Sequence, residues 1–512
     1  MNLKIIEPQR EIKVLDEAEV IVVGGGPAGI GAALGSARTG AKTILIDRFG
    51  SLGGLQTQGL NGIFSFVDPE LHSGIVHEIV GRLKDAKAVL SNDEIPAWTR
   101  SPIKDRFMQM LGPDKLPKRM VDTESGWWGR WGYCFDPEYY KYMLDGMMEE
   151  AGVKLLFHSF AAGAIREDNF LKGVLVEGKE GRRAVLGKVI IDTTGTGDII
   201  WKSGAPCDEG IPAGEKKGSK SGYLSCFMIG GVDQAKFDAF RAANPEDWPG
   251  MYGAAGILAK AKAAGENIRV EKIVVTQHWD MYRDGKIWIM TLLHGAEEAC
   301  WSTKDLTAGE IGMRKQAVTL HKVLKQSVHG FENSYIDRFS QYAVWGNPHR
   351  LIGEHVLTYN DMRAGRIFED GIAISNMPPD VYEVAGRFAY DILPHDIPYR
   401  SLVSKEVENL MAAGSIISNG AFSAAAIRYC TPTICTGQAA GTGAAMAVKN
   451  NVTPKNLDAK IVQDALRKQG ARVSVKDVSP EALAPYQFIQ KLNIAERRTD
   501  EMIITEEEIG MY

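Results

Sequence analysis

The stretch Glu19–Arg48, EVIVVGGGPAGIGAALGSARTGAKTILIDR, decides how the chain is read. Its β-branched run Val20–Val23 is a buried strand by composition. Gly24-Gly25-Gly26-Pro27-Ala28-Gly29 follows as G-x-G-x-x-G. Gly24 permits the tight turn out of the strand, and Gly26 lets backbone approach a pyrophosphate. Gly29 lets the next helix pack closely on the sheet. A small-residue helix, expected from Ala28 to about Thr39, presents its positive end to the phosphates, and Gly40 ends it. A second strand, Thr43–Ile46, delivers Asp47. That carboxylate lies 18 residues past Gly29 (47 − 29), where the ribose-binding acid of a dinucleotide unit belongs. The glycine motif alone would be weak; strand, helix and acid at these spacings make it specific.

Beyond Arg48 the chain reads Phe49-Gly50-Ser51-Leu52-Gly53-Gly54-Leu55-Gln56-Thr57-Gln58-Gly59-Leu60. Glycines here add no side chains to a core. They let backbone run against a flat ligand with its N–H groups uncovered, so the loop is expected to follow the pyrophosphate toward a ring system. Asp136–Gly152 has Tyr140, Met143, Leu144 and Met147 in helical phase, and Val153–Ser159 reads as the next strand. Ala162–Glu177 and Arg183–Ile191 read as strands of a small crossing sheet. The run Val189–Asp198 returns to the main sheet and ends in a second turn, Asp192-Thr193-Thr194-Gly195, close to the nucleotide.

Composition narrows the class. A chain of 512 residues, 45% hydrophobic and 24% charged, has room for two or three soluble domains. A formal charge of −5 leaves no basic footprint for nucleic acid. No stretch of about 18 uncharged apolar residues predicts a membrane span, and the N-terminus lacks the apolar run of a signal peptide. None of the six cysteines forms C-x-x-C, which argues against a bound metal, an iron–sulfur cluster or a thioredoxin-like redox pair. Sparse cysteine fits a cytoplasmic protein.

Gly24–Gly29, Asp47, Gly53-Gly54 and Asp192–Gly195 resemble the FAD-binding half of the glutathione-reductase-like flavoprotein superfamily. The likeness continues through Ile397–Leu402, Glu408–Gly414, Arg428, Pro432-Thr433 and Gly437-Gln438-Ala439-Ala440-Gly441-Thr442-Gly443-Ala444-Ala445. This order is similar to that of the FAD-dependent oxidoreductase family, whose members tend to end in an arginine followed by G-Q-A-A-G-T-A-A. The resemblance covers residues 5–205 and 340–470 and is loose over 206–340. Thr196 stands where the family often has an acid, and Gly443 where it usually has alanine.

The resemblance implies an α/β fold: a Rossmann-like FAD-binding domain in two parts, 1–205 and 391–470, interrupted by an α+β substrate domain, 206–390. Strand-like Gly222–Val232 and Lys286–Leu293 and a long helix, Asp305–Gly330, predict a mainly antiparallel sheet roofing the flavin. Residues 471–512 form a C-terminal extension, an interface arm or lid. Residues 61–135, with Trp98, Trp127, Trp128 and Trp131, read as a helical insertion near the active site. Candidate FAD contacts are Gly24, Gly26, Pro27, Ala28, Gly29, Asp47, Arg48, Gly53, Gly54, Thr57, Thr194, Gly195, Gly437 and Gln438. The small-residue helix 436–449 is expected to set its N-terminus beneath the ring.

No second G-x-G-x-x-G follows residue 60, so no NAD(P)H unit is expected, and C-x-x-x-x-C is absent beside the first motif. Cys430 and Cys435 have that spacing but lie in another segment, where two buried small residues are the better reading. The expected activity is a dehydrogenase or reductase of a small organic substrate, by hydride transfer to or from flavin N5, with a separate electron donor or acceptor. The alternatives are a flavoprotein with no net redox change and a non-catalytic FAD subunit of an electron-transfer complex; a homo-oligomer is compatible with each. For proton transfer, His395 is the leading base because imidazole titrates near neutrality. Arg350 is expected to orient an anionic group, with Arg428 third. His278, His294 and His349 are the reserves.

Overall fold

The computed structural model describes residues 5, 7–65, 67–91, 94, 132–208, 223–248, 252–276, 279, 285–293, 302–342, 349–381, 387–388 and 392–495. The four tryptophans 98, 127, 128 and 131, His278, His294 and residues 496–512 lie outside them.

The strand that begins the glycine motif starts earlier than composition suggests, as Val14–Val23. It is the centre of a seven-stranded sheet. Thr43–Ile46 pairs parallel on one side, and Lys154–Leu156 pairs parallel beyond it. Gly181–Asp192 pairs parallel on the other side. This long strand serves two neighbourhoods. Its end, Ile190–Asp192, also pairs parallel with Leu410–Ala412. Its beginning pairs antiparallel with Phe170–Gly178, which pairs in turn with Phe160–Glu167. The C-terminal halves of the parallel strands, Val20–Val23, Thr43–Ile46 and Val189–Ile191, are apolar or buried because both faces are covered there. Ile21, Val22, Ile44 and Ile190 are each 0% exposed.

Helix Pro27–Arg38 covers one face together with helix Cys430–Lys449. Glycines set the closeness of that pair. A Cβ on Gly437 would lie 2.1 Å from the Ala28 carbonyl oxygen, one on Gly441 1.9 Å from that of Ala32, and one on Gly31 2.3 Å from that of Ile434. Side chains of any size would separate the two helices, so the small-residue composition of residues 436–449 is a requirement of helix packing.

A second unit holds a five-stranded antiparallel sheet in the order Tyr252–Gly253, Ile273–Thr276, Ile287–Leu293, Tyr223–Gly230, Tyr335–Phe339. Period-two alternation divides its side chains between two cores. Phe227, Ile229, Ile273, Val275, Ile287 and Ile289 face the helices Gln234–Ala243, Ala255–Ala263 and Thr303–Ser327. Cys226, Met228, Val274, Trp288 and Met290 face Leu60, Ile63 and Cys134 of the first unit. The antiparallel sheet therefore lies over the segment that follows the glycine-rich loop.

The return to the first unit occurs earlier than residue 391. Gly371–Ser375 pairs antiparallel with His395–Pro398, and Leu357, Tyr359, Met362, Ile372 and Met377 share the core of helices 27–38 and 430–449. The apolar residues of 357–377 have no periodicity that distinguishes one core from the other. The described part of 61–135 is a helix, Ile75–Asp85, beside a three-stranded sheet of Ile63–Phe64, Tyr133–Phe135 and Val89–Ser91. The C-terminal segment also packs on the first unit. Ser474 Oγ and Val475 N donate to the Asp396 carboxylate at 2.8 and 2.7 Å, and Tyr486 Oη donates to Asp68 at 2.7 Å. Among the described residues no helix is long and apolar enough to cross a membrane.

Candidate active site

At the C-terminal ends of the parallel strands, where ligands of open α/β sheets bind, a cleft runs from the Asp47 region to the start of helix 430–449. Gly24, Gly26, Pro27, Ala28 and Gly54 form its middle, and Thr194 and Gly195 its flank. The three motif glycines differ in cause. At Gly24, with φ of +109°, a Cβ would lie 2.6 Å from the Thr193 carbonyl oxygen; at Gly29 it would lie 1.8 Å from that of Gly24. The fold itself demands both. At Gly26 a Cβ would meet nothing within 4 Å. No protein atom requires that glycine, and the space beside it is open to a ligand lying against the backbone.

Asp47 ends its strand with its carboxylate buried. Oδ2 accepts from Gly25 N at 2.5 Å and Oδ1 from Phe49 N at 2.6 Å. Burial raises its pKa, opposed by these two N–H groups and by Arg48. Each oxygen keeps a further lone pair for a ribose hydroxyl. Beside it Phe49 and Tyr342 stack, with Arg48 over both rings. On the flank, Thr193 Oγ1 donates to the Val23 and Gly24 carbonyl oxygens at 2.8 Å, which fixes the second turn against the first. Asp192, fully buried and pushed up to about 6 by that burial, accepts from Thr194, Ile199 and Ile200 N–H groups and holds the turn closed.

The other end of the cleft is lined by Gln56, Asn61, Ser65, Met290, Arg428 and Cys430. Burial raises the Cys430 thiol to about 11 and the Cys435 thiol to about 12. The small-residue helix begins at Cys430, six residues before the expected position (436 − 430), and Tyr429, Cys430 and Thr433 of this N-terminus reach the cleft. Pro432 in the first turn is the start signal that marks it.

Several expected contacts are elsewhere. Gly29 is buried under Gly24. Gly53 is a left-handed turn residue whose N–H donates to the Gly25 oxygen at 2.9 Å. Thr57 closes the loop through Leu52 O at 2.7 Å. Gly437 lies on helix 27–38, and Gln438 accepts from Ile75 N and donates to Gln469, tying helix Ile75–Asp85 to the core. None of these lines the cleft. His395 is 0% exposed, its Nδ1 paired with Leu393 O at 2.9 Å; burial lowers it to about 4. Arg350 is buried against Asp208 at 2.6 Å and Asn419 O at 3.2 Å. Both are away from the cleft wall, because strands 395–398 and 350–351 turn these side chains into the protein. His349 likewise stacks on Trp201 outside the lining. Of the three catalytic candidates only Arg428 lines the cleft. No local sequence pattern connects Tyr342 and Met290, which also line the cleft, to a glycine motif some 300 residues away.

The cradle fits a dinucleotide flavin: open backbone at Gly26, an acid beside it, and a broad polar end at Asn61 and Arg428. Residues 19–466 match the family model described as FAD dependent oxidoreductase. No match was found among curated protein sequences. Solved structures similar to this chain include a geranylgeranyl bacteriochlorophyll reductase-like protein from Thermoplasma acidophilum, 13% identical, with 96% of this chain and 95% of that one covered and a TM-score of 0.44. Another is the p-nitrophenol 4-monooxygenase of Pseudomonas putida, 13% identical over 95% and 93% of the chains, TM-score 0.42. A third is the anhydrotetracycline hydroxylase of Streptomyces rimosus, 10% identical over 94% and 74%, TM-score 0.43. With the family model spanning most of its length, the chain belongs to the FAD-dependent oxidoreductases and is a flavoenzyme that uses FAD.

Proposed function

We propose that the protein is a dehydrogenase or reductase of a small organic substrate, exchanging a hydride between substrate and flavin N5. The observation that carries this reading is one continuous cleft with a nucleotide cradle at Gly24–Ala28 and a polar end at Arg428, faced by Met290 of the antiparallel sheet. The absence of a second G-x-G-x-x-G from the sequence supports direct access of substrate to that end.

Bound FAD supplies the two-electron chemistry; the protein's residues hold and orient. Gly24–Ala28 and the start of helix 27–38 receive the pyrophosphate on N–H groups, and Asp47 receives the ribose. Arg428 orients a carboxylate or carbonyl oxygen of the substrate, since a guanidinium is a permanent donor and never a base. Among the described residues no histidine lines the cleft. Anaerobic addition of candidate metabolites, followed by flavin bleaching, tests the reading. Bleaching by a substrate, slowed about 10-fold or more in Arg428→Ala, is the expected outcome. Turnover with flavin oxidised and no acceptor would replace it with a reaction of no net redox change. No turnover without another subunit would replace it with an electron-transfer role.

A further inference from the structure

Gln56 closes the short 3-10 turn Gly54–Gln56 and lines the cleft. Its Oε1 accepts a hydrogen bond from the Tyr140 hydroxyl at 3.2 Å. Tyr140 is 0% exposed. It stands on helix Pro137–Glu150, whose start is fixed by Asp136 capping and Pro137. Phe64 and Phe135 meet its ring edge-on, at centroid distances of 5.9 and 4.6 Å. A phenol buried this completely must donate its proton to an acceptor, and Oε1 is that acceptor. The amide of Gln56 is thereby held with its NH2 as the free end. One N–H reaches Ile63 O at 3.5 Å, the outer limit of a hydrogen bond. Asn61, five residues on (61 − 56), lines the same wall, and its Oδ1 finds no hydrogen-bond partner among the described residues. A weakly used donor and an unused acceptor therefore line the same cleft, and the Cys430 thiol donates to the same Ile63 O as Gln56.

We propose that Gln56 and Asn61 form an amide pair that reads the pyrimidine edge of the flavin ring, with Tyr140 as the positioning residue that fixes the Gln56 amide. That edge carries an N–H, at N3, between two carbonyl oxygens. Gln56 donates to a ring carbonyl and Asn61 accepts from N3–H. The pair selects the cofactor ring, and its role is independent of which substrate is turned over.

The test uses full-length apoprotein titrated with FAD and with N3-methyl-FAD, followed by flavin fluorescence. The methyl group removes the N3 donor. Wild type is expected to bind the methylated flavin at least about 10-fold more weakly than FAD, the loss of one hydrogen bond plus an unsatisfied acceptor. Asn61→Ala should bind the two within about 2-fold of each other, and Asn61→Asp, which keeps an acceptor, should still discriminate. Gln56→Leu should weaken FAD binding about 2- to 10-fold and retain the discrimination. Tyr140→Phe keeps the ring packing and should reproduce the Gln56→Leu loss, with the double variant no weaker than Gln56→Leu. Losses that add in the double variant would show that the Tyr140 hydroxyl acts independently of Gln56 and overturn its positioning role. Equal binding of both flavins by wild type, or discrimination undiminished in Asn61→Ala, would overturn the amide pair.

Discussion

Tyr342 stacks on Phe49 with ring centroids 5.0 Å apart and an interplanar angle of 21°. Phe49 belongs to the glycine-rich loop, and Tyr342 follows the strand Tyr335–Phe339 of the antiparallel unit. The stack closes the Asp47 end of the cleft with one residue from each unit. Tyr342→Ala removes an aromatic pair worth about 0.5–1.5 kcal/mol. FAD should then dissociate about 2- to 10-fold more readily, while Tyr342→Phe should stay near wild type. Fluorescence titration of the apoprotein measures both.

Gly26 and Gly29 separate ligand from fold. Gly26→Val adds carbon to open space, so the apoprotein should melt within a few degrees of wild type. Its FAD affinity should fall about 10- to 100-fold, the scale of overpacking a close contact. Gly29→Val drives a side chain into the Gly24 carbonyl oxygen and should give little folded protein. Calorimetry with and without FAD distinguishes the two, and full flavin occupancy in Gly26→Val would contradict the cradle.

NADH and NADPH should reduce the flavin slowly, without saturation. The only G-x-G-x-x-G in the sequence is the one at Gly24–Gly29. Anaerobic stopped-flow mixing reads this directly; rapid, saturable bleaching by either nicotinamide would reveal a second nucleotide site.

His395 should matter to stability at acid pH and little to catalysis. Burial lowers it from 6.5 to about 4, so the unfolded chain takes up its proton first. The stability due to the neutral imidazole is present above pH 6.5 and is lost as pH falls toward 4. Asp192 and Asp396, both raised to about 6 by burial, act in the opposite sense. Their contribution is present below pH 3.8 and is lost as pH rises through 6. Comparing wild type with His395→Gln isolates the histidine. The gap in stability should shrink between pH 7 and pH 4 by on the order of 1–3 kcal/mol. Flavin reduction at pH 7 should stay within about 3-fold of wild type, well short of the effect of losing a general base.

The sequence by itself determined the nucleotide half of this protein. Val20–Val23, the glycine turn, the helix and Asp47 are local signals: each residue's role depends on neighbours fewer than 30 positions away, and steric rules for glycine and strand composition operate at that range. The capped helix 137–150 and the long helix 303–327 were legible for the same reason, whereas the stretch expected as Ala162–Glu177 is a hairpin of two strands, 160–167 and 170–178, and 181–192 joins the main sheet rather than a separate crossing one. The tertiary structure alone decided the rest. The glycines of helix 430–449 look the same in sequence whether they face a ring or another helix; only contact with Ala28 and Ala32 shows the second. Pro394 and Pro398 flank His395 and stiffen its backbone, and strand pairing with Ser375 turns its side chain into the core. Gln56, Asn61 and Tyr342 meet at the cleft from segments up to 286 positions apart (342 − 56), and Tyr140 reaches Gln56 from the core behind it. Their roles are set by hydrogen bonds and packing between distant segments, which no pattern of nearby residues encodes.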